Sequence, residues 1–511
     1  MKRSLGLILA CAALLAAPAA GASTVYVYEG GGRLAARTDP TVPPPQPAPP
    51  GETACSGSRT APPAPRSAAS AVKRAIARAR SKGKITAEEA ERYKAIYSAA
   101  RHARADMGAG RDRDELAAVL ATLDRIARAG KLNSTRMPAL FLQLDRNREF
   151  WTGHPDFPRR KAAAGASCTT LRAAGIDGSR VVFEGSQLLF QYYPGRGLQI
   201  QPLANFGRAN AMYDACRAQR GDCDERAYRK LLDELLSIRS NRGGFTTWEY
   251  WFEFGGGVPP WTSGMSSATG IQALARGSLY FGDRRYMKVA RRALGVFRHA
   301  PPIGVRTRGY GGVGVHYALY SFAPGLRVLN AFAQTLNALY EFRVLADSER
   351  ARRLFKAGHR SLRRELPHYD TGAWTRYSLG GAEATLEYHQ LATGFLAHLC
   401  ELSRYDAYCR YARRFDRYLR TPPRLDYQGP HSVRKGERAV LRFWLSKVSS
   451  VTAKVTDPDG DRVYRESAQF ARGRHTDLAW TPRARGAHRL SFTVRDLRGN
   501  LSTRVVAIEV E

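Results

Sequence analysis

Apolar residues recur at three- and four-residue steps from Ala68 to about Leu144, through AASAVKRAIARARSKG, ITAEEAERYKAIYSAARHARADMG and RDELAAVLATLDRIARAG, and this spacing predicts helices. Thr86 followed by Glu89 reads as a capping box, and Gly108 and Gly130 read as helix stops. Val181 to Tyr193 (VVFEGSQLLFQYY) reads as a hairpin that Pro194-Gly195 closes. Helical patterns then run over Leu203–Gln219, Glu225–Ser240, Ser267–Phe281, Arg284–Arg298, Arg327–Asp347, Ser348–Leu366, His389–Glu401 and Ala407–Leu419. Gly-, Pro- and aromatic-rich connections separate them. After Thr421-Pro422-Pro423 the period falls to two, in AVLRFWLS, SVTAKVTD, DRVYRES, HTDLAW, HRLSFTVRD and STRVVAIEVE.

Helices of similar length paired by loops are what an α/α toroid requires, and roughly seven short strands in about 85 residues fit an immunoglobulin-like sandwich. The expected fold is therefore mainly α: an α/α toroid, an incomplete barrel of helical hairpins, with an N-terminal helical arm and a C-terminal all-β immunoglobulin-like sandwich. The expected organisation is a signal peptide over 1–22, a Pro-rich linker over 23–66, a helical region over 67–175, the toroid over 176–424 and the sandwich over 425–511. Loops of a toroid gather at one mouth, so the site is expected where Asn241–Met265, Pro301–Pro324 and His368–Tyr388 meet.

Met-Lys-Arg, the apolar run Leu5–Ala17 and Ala20-Gly21-Ala22 before Ser23 have the form of a cleavable secretory signal, which implies a secreted or cell-envelope protein. No later stretch approaches the ~20 apolar residues of a membrane helix. Six cysteines remain beyond Cys11, an even number that suggests disulfides; the spacings allow Cys216–Cys223 and Cys400–Cys409, leaving Cys55 with Cys168. None has CxxC spacing, which argues against zinc. The formal charge of +35 is spread along the chain and carried mostly by Arg. Export disfavours nucleic acid as the partner, whereas Arg suits the repeated carboxylates of a uronic-acid polysaccharide.

Leu366–Tyr388 (LPHYDTGAWTRYSLGGAEATLEY) sets three tyrosines and a Tyr-Asp-Thr-Gly turn between two helical patterns. A phenol is a weak acid on an apolar ring, able to donate or accept a proton or to hold a carboxylate. Tyr369 reads as packing and Asp370 as the fixer of the turn. Trp261 reads equally as a sugar platform or a core residue, and His316 as an exposed loop residue or a base.

Several motifs in order resemble the C-terminal catalytic domain of D-glucuronyl C5-epimerases, over roughly Leu198–Leu419. They are LQIQPLANFGRANAMY, Asn241-Arg242-Gly243-Gly244, Pro260–Met265, Tyr320–Pro324 with Val328-Leu329-Asn330, Leu366–Gly372, Tyr377 and Tyr388-His389. The resemblance implies conversion of D-glucuronate to L-iduronate in an acidic polysaccharide, with Tyr320 and Tyr377 on the carboxylate and Tyr388 as acid or base. His316 joins them as a further catalytic candidate, and Trp261, Arg376, His389 and Asn330 are expected to bind substrate. The family places an acidic residue just before the tyrosine that is Tyr320 here; this chain has Leu319, so His316, Tyr317, Glu387 or His389 would have to take its place. The reaction needs no metal or organic cofactor. The expected partner is a glucuronate-containing polysaccharide, with no nucleic acid, no integral membrane contact and a homodimer allowed. A polysaccharide lyase on uronic-acid glycans and a non-catalytic binder of acidic glycans or the cell envelope are the alternatives.

Overall fold

The computed structural model describes residues 23–45, 67–157 and 179–511, so the signal segment, Cys55 and Cys168 lie outside the described residues. The described residues form two compact units. One holds everything up to Leu326 together with Gln334–His359; the other holds Arg327–Ala333 and Arg360–Glu511.

In the first unit, β1 (Ser23–Gly30) and β2 (Arg33–Asp39) make an antiparallel hairpin within the stretch read from sequence as linker. Its Val-x-Val pairing is made to a distant strand: β1 runs parallel to β3 (Arg180–Phe183), and β4 (Phe190–Tyr193) and β5 (Gly197–Ile200) extend the sheet in the order β2-β1-β3-β4-β5. Pro194-Gly195 closes the β4–β5 turn rather than the β3–β4 one. Four helices, α1 (Ser67–Ser81), α2 (Ala87–Asp106), α3 (Arg111–Arg128) and α4 (Met137–Thr152), accompany it. The Thr86–Glu89 capping box opens α2, and Gly130, at φ 68°, follows α3 in the left-handed region where a Cβ is costly. Helix α4 covers the open edge of β5: Gln143 accepts from the Ile200 N–H at 2.9 Å, and Asn147 accepts from the Leu198 N–H at 2.8 Å while donating to its carbonyl at 2.7 Å. An exposed strand edge invites pairing with another chain, and buried carboxamides satisfy it here. Glu115 pins the following turn by accepting from Tyr192 Oη, Gly195 N and Gly197 N at 2.6–2.8 Å.

Helices α5 (Pro202–Arg217), α6 (Glu225–Ser237), α7 (Gly264–Phe281) and α8 (Arg284–Ala293) fall where the periodicity predicts, as do α9 (Leu329–Leu345) and α10 (Glu349–Tyr369). The Arg284–Arg298 pattern ends in a 3₁₀ turn at Leu294–Phe297. Cys216–Cys223 is a disulfide. The Arg242-Gly243-Gly244 turn has a structural cause: Glu249, with a fully buried side chain, pairs with Arg136 at 2.7 Å and Arg242 at 2.5 Å, and Arg242 also donates to the carbonyls of Pro260, Pro302 and Ile303. A buried carboxylate is tolerated when both oxygens are met by guanidinium donors.

In the second unit, α11 (Leu386–Ser403) and α12 (Asp406–Tyr418) pack together and are linked by Cys400–Cys409. An all-β region follows. A five-stranded sheet joins the short strand Ser432–Val433 to Leu501–Val510, Gly486–Asp496, Ser449–Thr456 and Arg462–Phe470, and a three-stranded sheet joins Leu425–Tyr427, Phe443–Leu445 and Gly473–His475. One core serves both, with Phe443, Leu445, Val451, Leu490, Phe492 and Ile508 fully buried. The Asp457–Asp461 turn closes on itself, Asp457 Oδ1 accepting from Asp461 N at 2.8 Å. The division between the compact units falls within α9, after Ala333, and within α10, after His359.

Candidate active site

The Tyr-Asp-Thr-Gly turn is built by Asp370, which accepts from Gly372 N at 2.8 Å and Tyr418 Oη at 2.9 Å and pairs with Arg414 at 2.9 Å. The chain then folds back on itself: Ala384 N donates to Thr375 O at 2.8 Å and Tyr377 N to Ala382 O at 3.0 Å. Segment 327–329 closes over it, Leu329 N donating to Tyr377 O at 3.2 Å and Leu379 N to Arg327 O at 2.9 Å. Tyr377 is therefore fixed through its backbone on both sides. Thr385 caps α11 by accepting from Tyr388 N, which sets Tyr388 in the first turn. The two rings lie 4.7 Å apart at 57°, both largely buried.

His389, expected to bind substrate, is instead a bracing residue. It is fully buried, stacked 3.8 Å from Trp374, with Nδ1 2.8 Å from Thr375 Oγ1 and Nε2 3.0 Å from the Phe415 carbonyl. A carbonyl only accepts, so Nε2 carries the proton and Nδ1 takes the threonine hydroxyl. Burial pushes the imidazole from 6.5 down to about 4, against the Phe415 hydrogen bond, which raises it. Above pH 6.5 the ring is neutral folded and unfolded; between 6.5 and about 4 only the unfolded chain takes up the proton, so stability is lost as pH falls through that window. The expected loss from this residue is about 3 kcal/mol. Urea unfolding of wild type and His389→Gln from pH 7 to 4 checks this: equal pH slopes would refute the assignment.

Tyr369 packs, as its sequence context suggests. Its hydroxyl lies 3.1 Å from the Arg327 carbonyl and 3.2 Å from Glu365, and burial with the Glu365 charge raises its pKa well above the ordinary phenol value. Glu365 is fully buried, meeting Arg327 at 3.1 Å and Ser361 Oγ at 2.6 Å. Asn330 is buried at the start of α9. Arg376 is half-buried, donating one guanidinium N–H to Gly381 O at 2.7 Å.

In the first unit, Trp261 belongs to the core. It is 3 % exposed, stacks 4.1 Å from Tyr250 at 1° and donates Nε1–H to Phe252 O at 2.8 Å. Tyr320 meets it edge-on at 5.6 Å and stacks on Phe322 at 5.2 Å. His316 is fully buried on the short strand Val315–Tyr317, not an exposed loop residue. Tyr317 Oη donates to Leu354 O at 2.8 Å, and Leu319 is buried, its carbonyl accepting from Gly264 N. Of the four groups considered in place of an acid at 319, Glu387 alone is exposed.

Sequence reasoning missed Arg180. It is 4 % exposed, donates to Gln191 and has no carboxylate partner among the described residues. Burial lowers its pKa to about 10, and Tyr193 and Tyr250 beside it act in the opposite sense. Burial also raises Tyr193 to about 12 despite that cation. The only sequence signal was a charge at the head of an apolar strand.

Residues 242–417 match the family model described as D-glucuronyl C5-epimerase C-terminus. The chain carries a C5-epimerase-family domain. A D-glucuronyl C5-epimerase of Caenorhabditis elegans is 33% identical over 180 residues, which are 32% of this chain and 28% of the worm protein, so the match spans little more than a quarter of that relative. Among solved structures, a sugar epimerase from a ruminal bacterium is 12% identical, with 43% of this chain and 60% of that one covered at a TM-score of 0.31. A CARDB domain from Pyrococcus furiosus, in complex with di-metal ions, is 15% identical, with 17% of this chain and 87% of that one covered at a TM-score of 0.14. The C5-epimerase-family match takes in Tyr320, Tyr377 and Tyr388 and ends before the β region.

Proposed function

We propose that the protein is an exported uronate C5-epimerase that converts D-glucuronate to L-iduronate within an acidic polysaccharide. The observation that carries the reading is the Tyr377–Tyr388 pair, fixed 4.7 Å ring to ring at the first turn of α11 in the family-matched segment. Removing the C5 proton breaks a C–H bond and leaves its electron pair next to a carboxylate, so the second negative charge needs donors or cations on that carboxylate. Tyr377 takes that role; Tyr388 moves the proton, helped by a helix amino end that favours negative charge. Return of a proton to the opposite face inverts C5. The helical part is read as an incomplete α/α toroid and 425–511 as an immunoglobulin-like sandwich.

Incubation of the full chain with heparosan, a glucuronate polymer, in deuterated water tests the function. Deuterium at C5 with iduronate as product is expected. New ultraviolet absorbance from an unsaturated uronate would mean a lyase, and retention of the polymer with neither signal a binder; both overturn the reading.

A further inference from the structure

The second unit contains a cleft of about 540 Å³ that the tyrosine pair does not account for. One wall is the loop that carries Tyr377 and leads into Tyr388, contributing Arg376 and Glu387; the other is the β region, contributing Val448, Gln469, Arg472 and Leu497. The size falls within the range of roughly 300–1,000 Å³ usual for small-ligand sites. We propose that this cleft is a binding subsite for a carboxylated sugar of the polymer, and that the β region supplies half of it through Arg472. The proposal rests on the reading above for its ligand class.

The two walls are locked together. Glu383, on the loop, accepts from Val448 N at 2.8 Å with one oxygen and from Thr371 Oγ1 at 3.1 Å with the other. Behind it Lys447, with 1% of its side chain exposed, pairs with Asp496 at 2.6 Å and donates to the Tyr418 and Thr421 carbonyls at the end of α12, and Asn500 donates to Leu419 O at 2.8 Å. A tethered spacer would have no such joint. The joint holds the Arg472 backbone at a set distance from the loop.

The groups facing the cleft keep hydrogen-bonding capacity, with the Arg472 guanidinium also 5.7 Å from the Trp444 ring centre. Among the described residues, the side chains of Arg472, Gln469 and Glu387 have no hydrogen bond or ion pair, and Arg376 uses one N–H only. A guanidinium on each side matches a carboxylate that accepts in bidentate fashion. Glu387 and Gln469 can accept from sugar hydroxyls, while Val448 and Leu497 offer the apolar surface that the C–H face of a pyranose needs. Glu383 spends its two oxygens on Val448 and Thr371; burial, the largest influence on it, raises its pKa, while the nearby Arg472 and Arg376 charges act in the opposite sense.

The test uses the full chain with heparosan hexasaccharide and its carboxyl-reduced counterpart. Wild type is expected to bind the acid form about tenfold tighter than the reduced form, and Arg472→Ala to lose about tenfold on the acid form only. In the exchange assay the same variant should raise KM about tenfold with kcat within about twofold. Arg504→Ala, exposed and outside the cleft, removes the same charge from the chain and should match wild type in both assays. Arg472→Ala behaving like Arg504→Ala overturns the subsite even if C5 exchange is intact; binding that follows the expected pattern without any C5 exchange upholds the subsite and overturns the epimerase reading. Failure of wild type to bind the acid form overturns the subsite outright.

Discussion

Tyr388→Phe is expected to lower C5 deuterium exchange by ~10²–10⁴-fold, the usual contribution of a positioned acid or base, with KM nearly unchanged. The substitution removes one oxygen and keeps the ring. Tyr388 is 7% exposed and packs 4.7 Å from the Tyr377 ring, and the Thr385 cap on its backbone N–H does not depend on the side chain. The variant should therefore fold, with unfolding free energy within about 1.5 kcal/mol of wild type. The melting curve and the exchange rate together separate chemistry from collapse. Exchange within threefold of wild type in a folded variant would remove Tyr388 from the proton path. A loss that appears in KM with kcat retained would instead make it a carboxylate holder, the role the resemblance gives to Tyr377.

Much of this site was legible because its parts are local. The helices from Pro202 to Tyr418 announce themselves by apolar spacing, and the cap Thr86 is a short side chain placed just before a periodic run, with Glu89 three residues on. The Asp370 turn could be read for the same reason: its bond to Gly372 spans two residues. What could not be read depends on partners far along the chain. Strand β1 sits beside a proline-rich tether, and beyond its local hairpin with β2 its place in the five-stranded sheet depends on β3, more than a hundred residues later. Trp261 could not be assigned between platform and core because an indole serves both; its stack on Tyr250 and its bond to Phe252 decide it. His389 looked available because it follows Tyr388, yet α11 turns the next side chain about 100° away, into Trp374 and Phe415. Arg472 carried no signal at all in a chain with 80 basic residues.

Lys447→Met is expected to destabilise the protein by ~3–5 kcal/mol, because it leaves the buried Asp496 carboxylate without its cation. The lysine is not an ordinary surface partner: both side chains are 1% exposed, and the ammonium also meets two carbonyls at 2.9 and 2.5 Å and lies 5.2 Å from the Trp374 ring centre. Burial alone would raise Asp496, but hydrogen bonds from Lys447 and Asn500 outweigh it and hold the carboxyl below its ordinary 3.8. By linkage, a depressed carboxyl contributes stability that is full above pH 3.8 and is lost only as pH falls through the lower folded value. Without the ammonium the dominant influence left is burial, so acid unfolding should begin at higher pH in the variant. Asp496→Asn should cost less than Lys447→Met, since Lys447 keeps the Tyr418 and Thr421 carbonyls and the single amide oxygen can still accept from the Arg498 and Asn500 N–H groups that now bind Asp496 Oδ1. Because the same lysine ties the end of α12 to the β region, calorimetry should show the transition of both shifting together. A Lys447→Met variant within about 1 kcal/mol of wild type would mean that the β region folds and holds its place without this joint, and the fixed position of Arg472 across the cleft would then need another support.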